Sequence, residues 1–389
     1  MSLSEFDGYR PPEPPRRRRR DGPRRRGAGQ GGGDGSREMP MVPEPEFGSY
    51  YGRPVVKPAP WGHEVAAYLF LGGVAGGSAL LALGGQLTGR AELRRNARLG
   101  SVTALGLGGA ALVADLGRPE RFLHMLRTFK PTSPMSMGTW ILSAFGAGMG
   151  TAVASEVDRM TGSRLPLGPL RPVLRAVEGP AGVEAAVFAG PLAAYTAALL
   201  SDTATPTWNA AREDLAFVFV SSASLASGGL AMVTTSVGEA GPARRLAVLG
   251  VAGEVIATKL MERRMDPVAA EPLHHGQAGT MLAWSERLAV AGGLGTLLGG
   301  RHRAVAAVSG LALLASSALT RFGVMEAGLH SAVDPRYTIE PQKARLPPGA
   351  PQGSPTTRSR PSAERPAPCP GGAQRTWSPD PATVWPTTG

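Results

Sequence analysis

The chain has 389 residues and a formal net charge of +11, and 42% of its residues are apolar while 18% are charged. Its single cysteine, Cys369, excludes an internal disulfide and any metal cluster held by the thiolates of this chain alone. The mean hydropathy of −0.06 averages polar ends with a middle made of long apolar runs. Because apolar runs of about 18 residues or more are typical of transmembrane helices, the sequence predicts a multi-pass protein of the cell membrane.

Both ends of the chain have polar, low-complexity sequence. Residues 1–60 contain PPEPPRRRRR and GAGQGGGDG, and residues 331–389 are rich in proline. Neither segment has enough apolar side chains to offset the entropy of ordering, so both are predicted to be disordered tails. The arginine clusters at 16–20 and 24–26 have no interleaved aromatic residues, which favours a solvated or lipid-facing tail over a nucleic-acid-binding arm. We therefore expect these arginines to contact membrane lipid and not nucleic acid.

Residues 61–330 form the predicted membrane domain. Its apolar runs predict an all-α fold with about eight transmembrane helices, of which the glycine-rich seventh is the weakest. Glycines at GxxxG spacing in the first run, Gly72/Gly76 and Gly73/Gly77, predict that a neighbouring helix approaches closely. The predicted spans are 62–88, 99–116, 137–154, 181–201, 215–237, 246–261, 282–298 and 304–319.

An even number of spans puts both tails and the 2–3, 4–5 and 6–7 loops on the same side of the membrane. Most of the polar and aromatic residues at the span ends fall on that side, so we expect any functional site there. The basic residues near the span ends are nearly balanced between the two sides, and they leave the orientation in the membrane open. The residues expected at this face are Glu64, Asp115, Arg118, Lys130, Asp202, Trp208 and His274.

Donors and acids at this face match the requirements of a quinone site. Reduction of a quinone takes two electrons and two protons, so the ring needs hydrogen-bond donors and titratable groups beside it. A structural role is the alternative for part of this set, because an acid at a helix C-terminus opposes the helix dipole and Arg118 could neutralise Asp115. The candidate quinone-binding residues are His63, Glu64, Tyr68, Asp115, Arg118 and Lys130.

Haem binding, metal binding and ion translocation are the alternatives to a quinone site. None of the six histidines lies in the middle of a predicted span, which argues against a haem held between paired transmembrane histidines. The pair His274–His275 has no further ligand at a metal-binding spacing. Acids in or beside membrane spans mark proton or ion pathways, and Asp202 and Glu254 are the candidates for such a path. Alternatively, Glu254 and its near neighbour Lys259 neutralise each other.

Two stretches of the sequence match a known family. WGHEVAAYLFLGGVAGG (61–77) and DLGRPERFLHMLRTFKPTSPMSMGTW (115–140) closely resemble the NrfD/PsrC polysulfide-reductase membrane subunits, and ATPTW (204–208) is a weaker match. The resemblance extends from about 61 to 329 and leaves out both tails. It implies an eight-helix membrane protein in two four-helix bundles, with no haem and no iron–sulfur cluster of its own.

The resemblance also implies partners and roles for named residues. A ferredoxin-like iron–sulfur subunit docks on such an anchor, a molybdopterin catalytic subunit lies above it, and menaquinone or ubiquinone is the exchangeable substrate. By motif position, His63 and Glu64 are the first choices for the quinone, with Tyr68, Asp115 and Arg118 behind them. Arg121 and Arg127 are candidates for partner docking, and Lys130 and Arg121 suit either role.

The hypothesis from the sequence is therefore a membrane anchor that passes electrons between a partner's iron–sulfur cluster and the quinone pool. It is a subunit of an oxidoreductase complex and not a stand-alone enzyme. Two alternatives stay open: a proton- or ion-translocating membrane protein, and a passive scaffold without a redox site of its own.

Overall fold

The structure is a computed structural model that describes residues 54–116 and 124–345. The described residues are almost entirely helical, and they contain no β-strand. Eight long helices coincide with the eight predicted spans. The long helices are α1 (His63–Leu87), α2 (Ala91–Asp115), α3 (Pro134–Met160), α4 (Leu170–Ser201), α5 (Leu215–Thr234), α6 (Gly241–Arg264), α7 (Gly276–Gly299) and α8 (Arg303–Val333). Short helical segments lie in the loops after α2, α4 and α6.

Several helices extend well beyond the apolar runs that predicted them. The second predicted span begins at residue 99, but α2 already begins at Ala91, and α8 continues fourteen residues past the predicted end at 319. The added turns contain charged residues, such as Arg98 and Arg321, that are buried by contacts with other helices. Hydropathy alone ends a span at such residues because it does not register their tertiary partners.

Six of the eight long helices are long and apolar enough to cross a membrane. They are α1 to α5 and α8. Helix α6 has charged residues along its whole length, from Arg244 to Arg264, and α7 has Glu286 and Arg287 near its middle. The all-helical membrane fold is thus confirmed for six helices, while membrane crossing by α6 and α7 stays a prediction.

Contacts between the long helices trace two cycles, called here the first and second sets, and helices of the two sets also contact each other. In the first set, α1 contacts α2, α2 contacts α3, α3 contacts α4, and α4 contacts α1 again. In the second, α5 contacts α6, α6 contacts α7, α7 contacts α8, and α8 contacts α5. Helix α1 joins the sets because it also contacts α5 and α8, and it is the most buried of the apolar helices.

Glycines on α1 allow this central position. A Cβ atom at Gly76 would lie 2.8 Å from the Ala189 carbonyl oxygen of α4, and one at Gly77 would lie 2.9 Å from the Ala223 carbonyl oxygen of α5. Such separations leave no room for a side chain, so α1 packs directly against both backbones. The predicted close approach is confirmed at these two glycines. Gly72 differs, because a Cβ atom there would meet no atom within 4 Å.

One face of the molecule is held together by the short helix Pro206–Ala210 between α4 and α5. Trp208 in this helix is fully buried and donates a hydrogen bond of 2.8 Å from its indole nitrogen to the Val324 carbonyl oxygen of α8. The Trp61 ring stacks on Trp208 with 5.7 Å between ring centroids. The Thr207 hydroxyl donates to the Ala269 carbonyl oxygen in the loop between α6 and α7 at 2.9 Å. The start of α1 and two loops therefore meet at the face where the sequence predicted a site.

Candidate functional site

Two of the predicted acids converge on the first turn of α1. The Glu64 carboxylate folds back over Gly62, the residue that precedes the helix, so that a Cβ atom at Gly62 would collide with it. Asp115, the last residue of α2, lies close to both the Gly62 backbone amide and Glu64. The free amides and the positive dipole end of a helix N-terminus attract carboxylates. The structure thus brings Glu64 and Asp115 together as an acidic rim at the start of α1.

Tyr68 lies one turn deeper on the same face of α1. Only 2% of the residue is exposed, and its hydroxyl has no hydrogen-bond partner among the described residues. The ring packs against α2 at Gly108, where a Cβ atom would lie 3.4 Å from it. A buried hydroxyl without a partner is unfavourable, so such a group commonly pairs with water or a ligand.

Open space follows Tyr68 on this face of α1. Gly72, again one turn on, is buried, yet its missing side chain leaves a gap that no neighbouring atom fills within 4 Å. Tyr68 and this gap lie one and two turns beyond Glu64 on the same face of α1. We call this region the α1/α2 slot, defined by Glu64, Tyr68, Gly72, Gly108 and Asp115.

Aromatic side chains stack beside the acidic rim at the start of α1. The exposed His63 ring stacks on Phe322 of α8, with 6.1 Å between ring centroids. Trp61, which precedes α1, stacks on Trp208 of the short helix between α4 and α5. The start of α1 is thereby fixed against the second set of helices, and His63 remains accessible beside Glu64.

Two of the predicted cations, Arg127 and Lys130, form no contact with this rim that the structure describes. Lys130 and Arg127 are exposed, and among the described residues neither side chain forms a hydrogen bond or an ion pair. The Lys130 backbone amide donates to the Ser136 hydroxyl at 2.9 Å, which anchors the turn before α3. Arg118 and Arg121 lie outside the described residues. The proposed pairing of Asp115 with Arg118 therefore stays a prediction.

Glu254 lies in a separate buried polar cluster within the second set of helices. It is 5% exposed, accepts a hydrogen bond of 2.7 Å from the Thr320 hydroxyl, and has one oxygen, Oε2, without a described partner. Thr320 is also 2.6 Å from the Ser285 hydroxyl of α7. The neutralisation of Glu254 by Lys259 is wrong, because the Lys259 ammonium pairs with Glu286 at 3.3 Å.

A cavity of about 240 Å³ leads from the surface to this cluster. Glu254, Ser285 and Thr320 line its inner part, and Glu262 and His274 line its mouth at the face of the predicted site. The nearest approach of the two mouth residues is 3.8 Å, between His274 Nε2 and a Glu262 oxygen.

Asp202, the other acid predicted for a proton path, lies elsewhere. It is the exposed residue that follows α4, and no hydrogen bond or ion pair within residues 54–116 and 124–345 joins it to Glu254.

The sequence interpretation missed a fully buried arginine at the junction of the two helix sets. Arg321 of α8 donates to the Phe219 carbonyl oxygen of α5 at 2.6 Å, and its guanidinium lies 3.7 Å from the centre of the Phe219 ring. Its Nε and Nη1 atoms have no partner in the described part of the chain. The signal was present in the sequence, because the apolar run continues after Arg321 as FGVMEAGL.

A second missed cluster lies at the opposite face, among α2, α3 and α4. Arg98 is 1% exposed and donates to Glu156 at 2.8 Å and also to Glu178, which in turn accepts from Arg159. Arg94 binds Glu156 with two hydrogen bonds of 3.1 Å. The i, i+4 spacing of Arg94 and Arg98 could have indicated a shared helical face, but both fall between the predicted spans 62–88 and 99–116.

Comparison of the sequence with known protein families finds a match to one family. The sequence model of the family described as "Polysulphide reductase, NrfD" matches residues 55–249. The matched region begins before α1, ends in the first half of α6, and contains Glu64, Tyr68 and Asp115. None of the curated proteins matches the chain.

Proposed function

The chain belongs to the polysulphide reductase NrfD family, an integral membrane family whose members are subunits of oxidoreductase complexes, and on that premise we propose that it is the quinone-interacting anchor of such a complex. Electrons pass between an iron–sulfur cluster of a partner and a quinone in the membrane. The observation that carries this proposal is the α1/α2 slot, where a buried Tyr68 hydroxyl without a described partner lies one turn from the open position at Gly72 and one turn from Glu64.

All eight long helices cross the membrane in this proposal. The closed cycles of contacts, α1 to α4 and α5 to α8, support two four-helix bundles. Glu254 of α6 points into the second bundle, and Lys259 of α6 is paired with Glu286 of α7. Both arrangements reduce the number of isolated charges that lipid would have to accommodate.

The residues of the α1/α2 slot have complementary roles toward a menaquinone or ubiquinone ring. The Tyr68 hydroxyl donates a hydrogen bond to one carbonyl oxygen of the ring, whose edge occupies the gap at Gly72. Glu64, assisted by the accessible His63 ring, exchanges protons between the second oxygen and the aqueous face. Asp115 keeps the start of α1 polar, and Arg118 and Lys130 stay candidate donors to the quinone. Two electrons from the partner and two protons convert the quinone to the quinol.

Binding of a fluorescent hydroxyquinoline N-oxide, a quinol analogue, to the purified protein tests this site. We expect quenching with micromolar affinity for the wild type, at least tenfold weaker binding for Glu64→Gln, and about fivefold weaker binding for Tyr68→Phe. His63→Ala should weaken binding less. The exposed Glu213→Gln is the matched control and should bind like the wild type. Equal affinities for all five proteins would refute the assignment.

Two subunits complete the proposed complex. A ferredoxin-like iron–sulfur protein docks on the face that contains Glu64, and Arg121 and Arg127 are the proposed docking residues. A molybdopterin enzyme binds that protein in turn. If the chain is instead a passive scaffold, Arg127→Glu will prevent assembly, but Glu64→Gln will leave quinone-linked turnover of the assembled complex unchanged.

Proton translocation is the second candidate function, and the cavity that ends at Glu254 favours it. The cavity extends from the face that contains His274 to the buried Glu254 carboxylate. The Arg98 cluster lies near the opposite face. Acids buried in membrane helices commonly serve proton transfer. Proteoliposomes containing a pH-sensitive dye test this function: the wild type should acidify or alkalinise the lumen during quinone turnover, and Glu254→Gln should abolish the signal. An unchanged signal in Glu254→Gln excludes this path.

A further inference from the structure

Three arginines surround the loop between α5 and α6, at the face opposite to the start of α1. Arg90 precedes α2, Arg244 lies in the first turn of α6, and Arg303 begins α8. Helices α2, α5 and α8, which begin or end beside this loop, are among those long and apolar enough to cross a membrane. The three residues, called here the loop arginines, therefore lie at the level of the lipid headgroups.

The loop arginines donate to backbone carbonyl oxygens. Arg90 Nη1 donates to the Gly238 oxygen at 3.1 Å, and Arg303 donates to three oxygens in and just after the last turn of α5. Arg244 Nη1 donates to the Val237 oxygen at 2.8 Å. These contacts hold each side chain in place, but carbonyl groups are neutral and leave the positive charges without a counter-ion.

The acids beside the loop are engaged in other contacts. One oxygen of Glu239 accepts hydrogen bonds from the backbone amides of Glu92 and Leu93, at 2.8 and 3.0 Å, in the first turn of α2. The Glu92 carboxylate in turn accepts from the Ser236 amide at 2.9 Å. Both acids thus bind the backbone, and among the described residues neither forms an ion pair with a loop arginine.

Positive charge is in excess throughout this corner of the molecule. The three segments that meet there contain seven arginines but only two acids. Arg94 is the one of these seven that forms an ion pair within the described part of the chain, with Glu156 of α3. An anion from outside the chain would offset the remaining charge. The segments are 88–96, 235–245 and 299–304.

Two of the loop arginines converge on one open position. Gly241 is the first residue of α6, and a Cβ atom there would lie 3.9 Å from Arg244 Nη2 and 3.9 and 4.0 Å from Arg90 Nη1 and Nη2. Outside the neighbouring backbone, no atom lies closer to this position. Two guanidinium groups beside one open space suit a phosphate group, whose oxygens accept several charge-assisted hydrogen bonds.

Apolar surface lies next to this position. The Arg244 stem packs on the end of α7, where its Cδ atom would be 2.9 Å from a Cβ atom at Gly300. Leu298, two residues earlier, is 87% exposed, and Leu249 of α6 is 70% exposed. Because charge and exposed leucines adjoin at the membrane boundary, the surface suits a phosphate attached to acyl chains better than a free phosphate ion.

We propose that the loop arginines bind the phosphate of an anionic phospholipid, whose acyl chains lie against Leu298 and Leu249. An anionic lipid is favoured over a zwitterionic one, because the choline cation of the latter would add to the excess positive charge. The site is separate from the α1/α2 slot. It depends on the membrane location of the chain and not on the proposed quinone chemistry.

Native mass spectrometry of the full-length protein, released from detergent, tests this site. The probes are dioleoylphosphatidylglycerol, dioleoylphosphatidylcholine and inorganic phosphate. We expect one phosphatidylglycerol molecule to bind at least fivefold more tightly than phosphatidylcholine, and inorganic phosphate to bind much more weakly than either. Equal binding of the two lipids would overturn the proposal. Phosphate binding as tight as that of phosphatidylglycerol would also overturn it, because the site would then recognise a soluble anion.

Substitutions at Gly241 separate charge from shape. Gly241→Asp puts a carboxylate beside the guanidinium groups of Arg90 and Arg244 without removing their loop contacts, and an acid in the first turn of a helix is favourable. We expect its affinity for phosphatidylglycerol to fall at least fivefold. Gly241→Asn has the same shape without the charge and should bind like the wild type. Loss of affinity in both variants, or in neither, would overturn the assignment.

Two double variants of equal net charge test the arginines directly. Arg90→Gln, Arg244→Gln should lose the preference for phosphatidylglycerol. Arg212→Gln, Arg263→Gln removes two exposed arginines at the other face and should keep it. Melting temperatures in phosphatidylcholine show that the compared proteins are folded. An equal loss in both double variants would indicate an effect of total charge, and a kept preference in the first would place the lipid elsewhere; either result overturns the site.

Discussion

Gly72 and Gly76 lie one turn apart on α1, yet Gly76 is in close contact with a neighbouring helix and Gly72 borders open space. A Cβ atom at Gly76 would lie 2.8 Å from a backbone oxygen of Ala189, whereas one at Gly72 would meet nothing within 4 Å. One glycine therefore permits the packing of α1 on α4, and the other leaves space in the α1/α2 slot.

Alanine substitutions at the two glycines should have opposite effects on stability. Gly76→Ala pushes α4 away from α1, and we expect it to lower the free energy of unfolding by about 1–3 kcal/mol, as overpacking does. Gly72→Ala should raise it slightly, because alanine favours a helix over glycine by about 1 kcal/mol. Thermal unfolding in detergent measures both. A loss of stability at Gly72 would mean that the gap is absent.

Filling the same gap should separate ligand binding from folding. Gly72→Leu extends a side chain into the α1/α2 slot beside the Tyr68 hydroxyl. We expect binding of the quinol analogue to fall at least tenfold, while the melting temperature stays within a few degrees of the wild type. Normal affinity in a folded Gly72→Leu protein would place the quinone outside this slot.

Tyr68→Phe should weaken quinone binding without weakening the fold. The Tyr68 hydroxyl is buried without a described partner, so its removal loses no hydrogen bond in the free protein and relieves an unpaired polar group. We therefore expect an unchanged or higher melting temperature. Loss of one ligand hydrogen bond of about 1 kcal/mol corresponds to about fivefold weaker binding. A lower melting temperature would indicate a hydrogen bond within the protein instead.

The sequence predicted the start of α1 and the position of the acids near it, because both depend on local signals. The apolar run predicted the first span as 62–88, and the helix runs from His63 to Leu87. Counting spans put Glu64 and Asp115 on one side of the membrane, and the structure brings them together at Gly62. Here the chain order alone determines which residues meet.

Long-range pairing was not predictable in the same way. Lys259 follows Glu254 by five residues, a step of about 500° that points the two side chains to different faces of α6. The Lys259 partner on α7 and the Glu254 partner on α8 depend on how three helices pack. Similarly, Arg98 looked like part of a basic loop because its acid partners, Glu156 and Glu178, belong to other helices.

The Arg98 cluster should be essential for stability. Glu178 accepts hydrogen bonds from Arg98, Arg159 and Ser155, so Glu178→Ala leaves the buried Arg98 guanidinium with only one of its two acids, Glu156. Breaking a buried ion pair by removing one partner costs about 3–5 kcal/mol. The control is Glu340→Ala, which breaks an exposed pair with Arg336 and should leave the melting temperature unchanged. Equal, small effects in both variants would show that the Arg98 cluster is hydrated.

Arg321 and Lys259 offer a last contrast between two cations near Glu254. Arg321 is fully buried where α1, α5 and α8 meet. Its methionine variant loses the hydrogen bond to Phe219 and removes the buried cation near the Glu254 carboxylate. We expect Arg321→Met to lower the melting temperature strongly and to abolish any proton flux that depends on Glu254. Lys259→Met removes only an exposed pair with Glu286 and should change neither quantity. Proton-flux measurements on both reconstituted variants test these expectations. A loss of flux in Lys259→Met alone would place the proton path at the outer surface of α6 and not in the cavity.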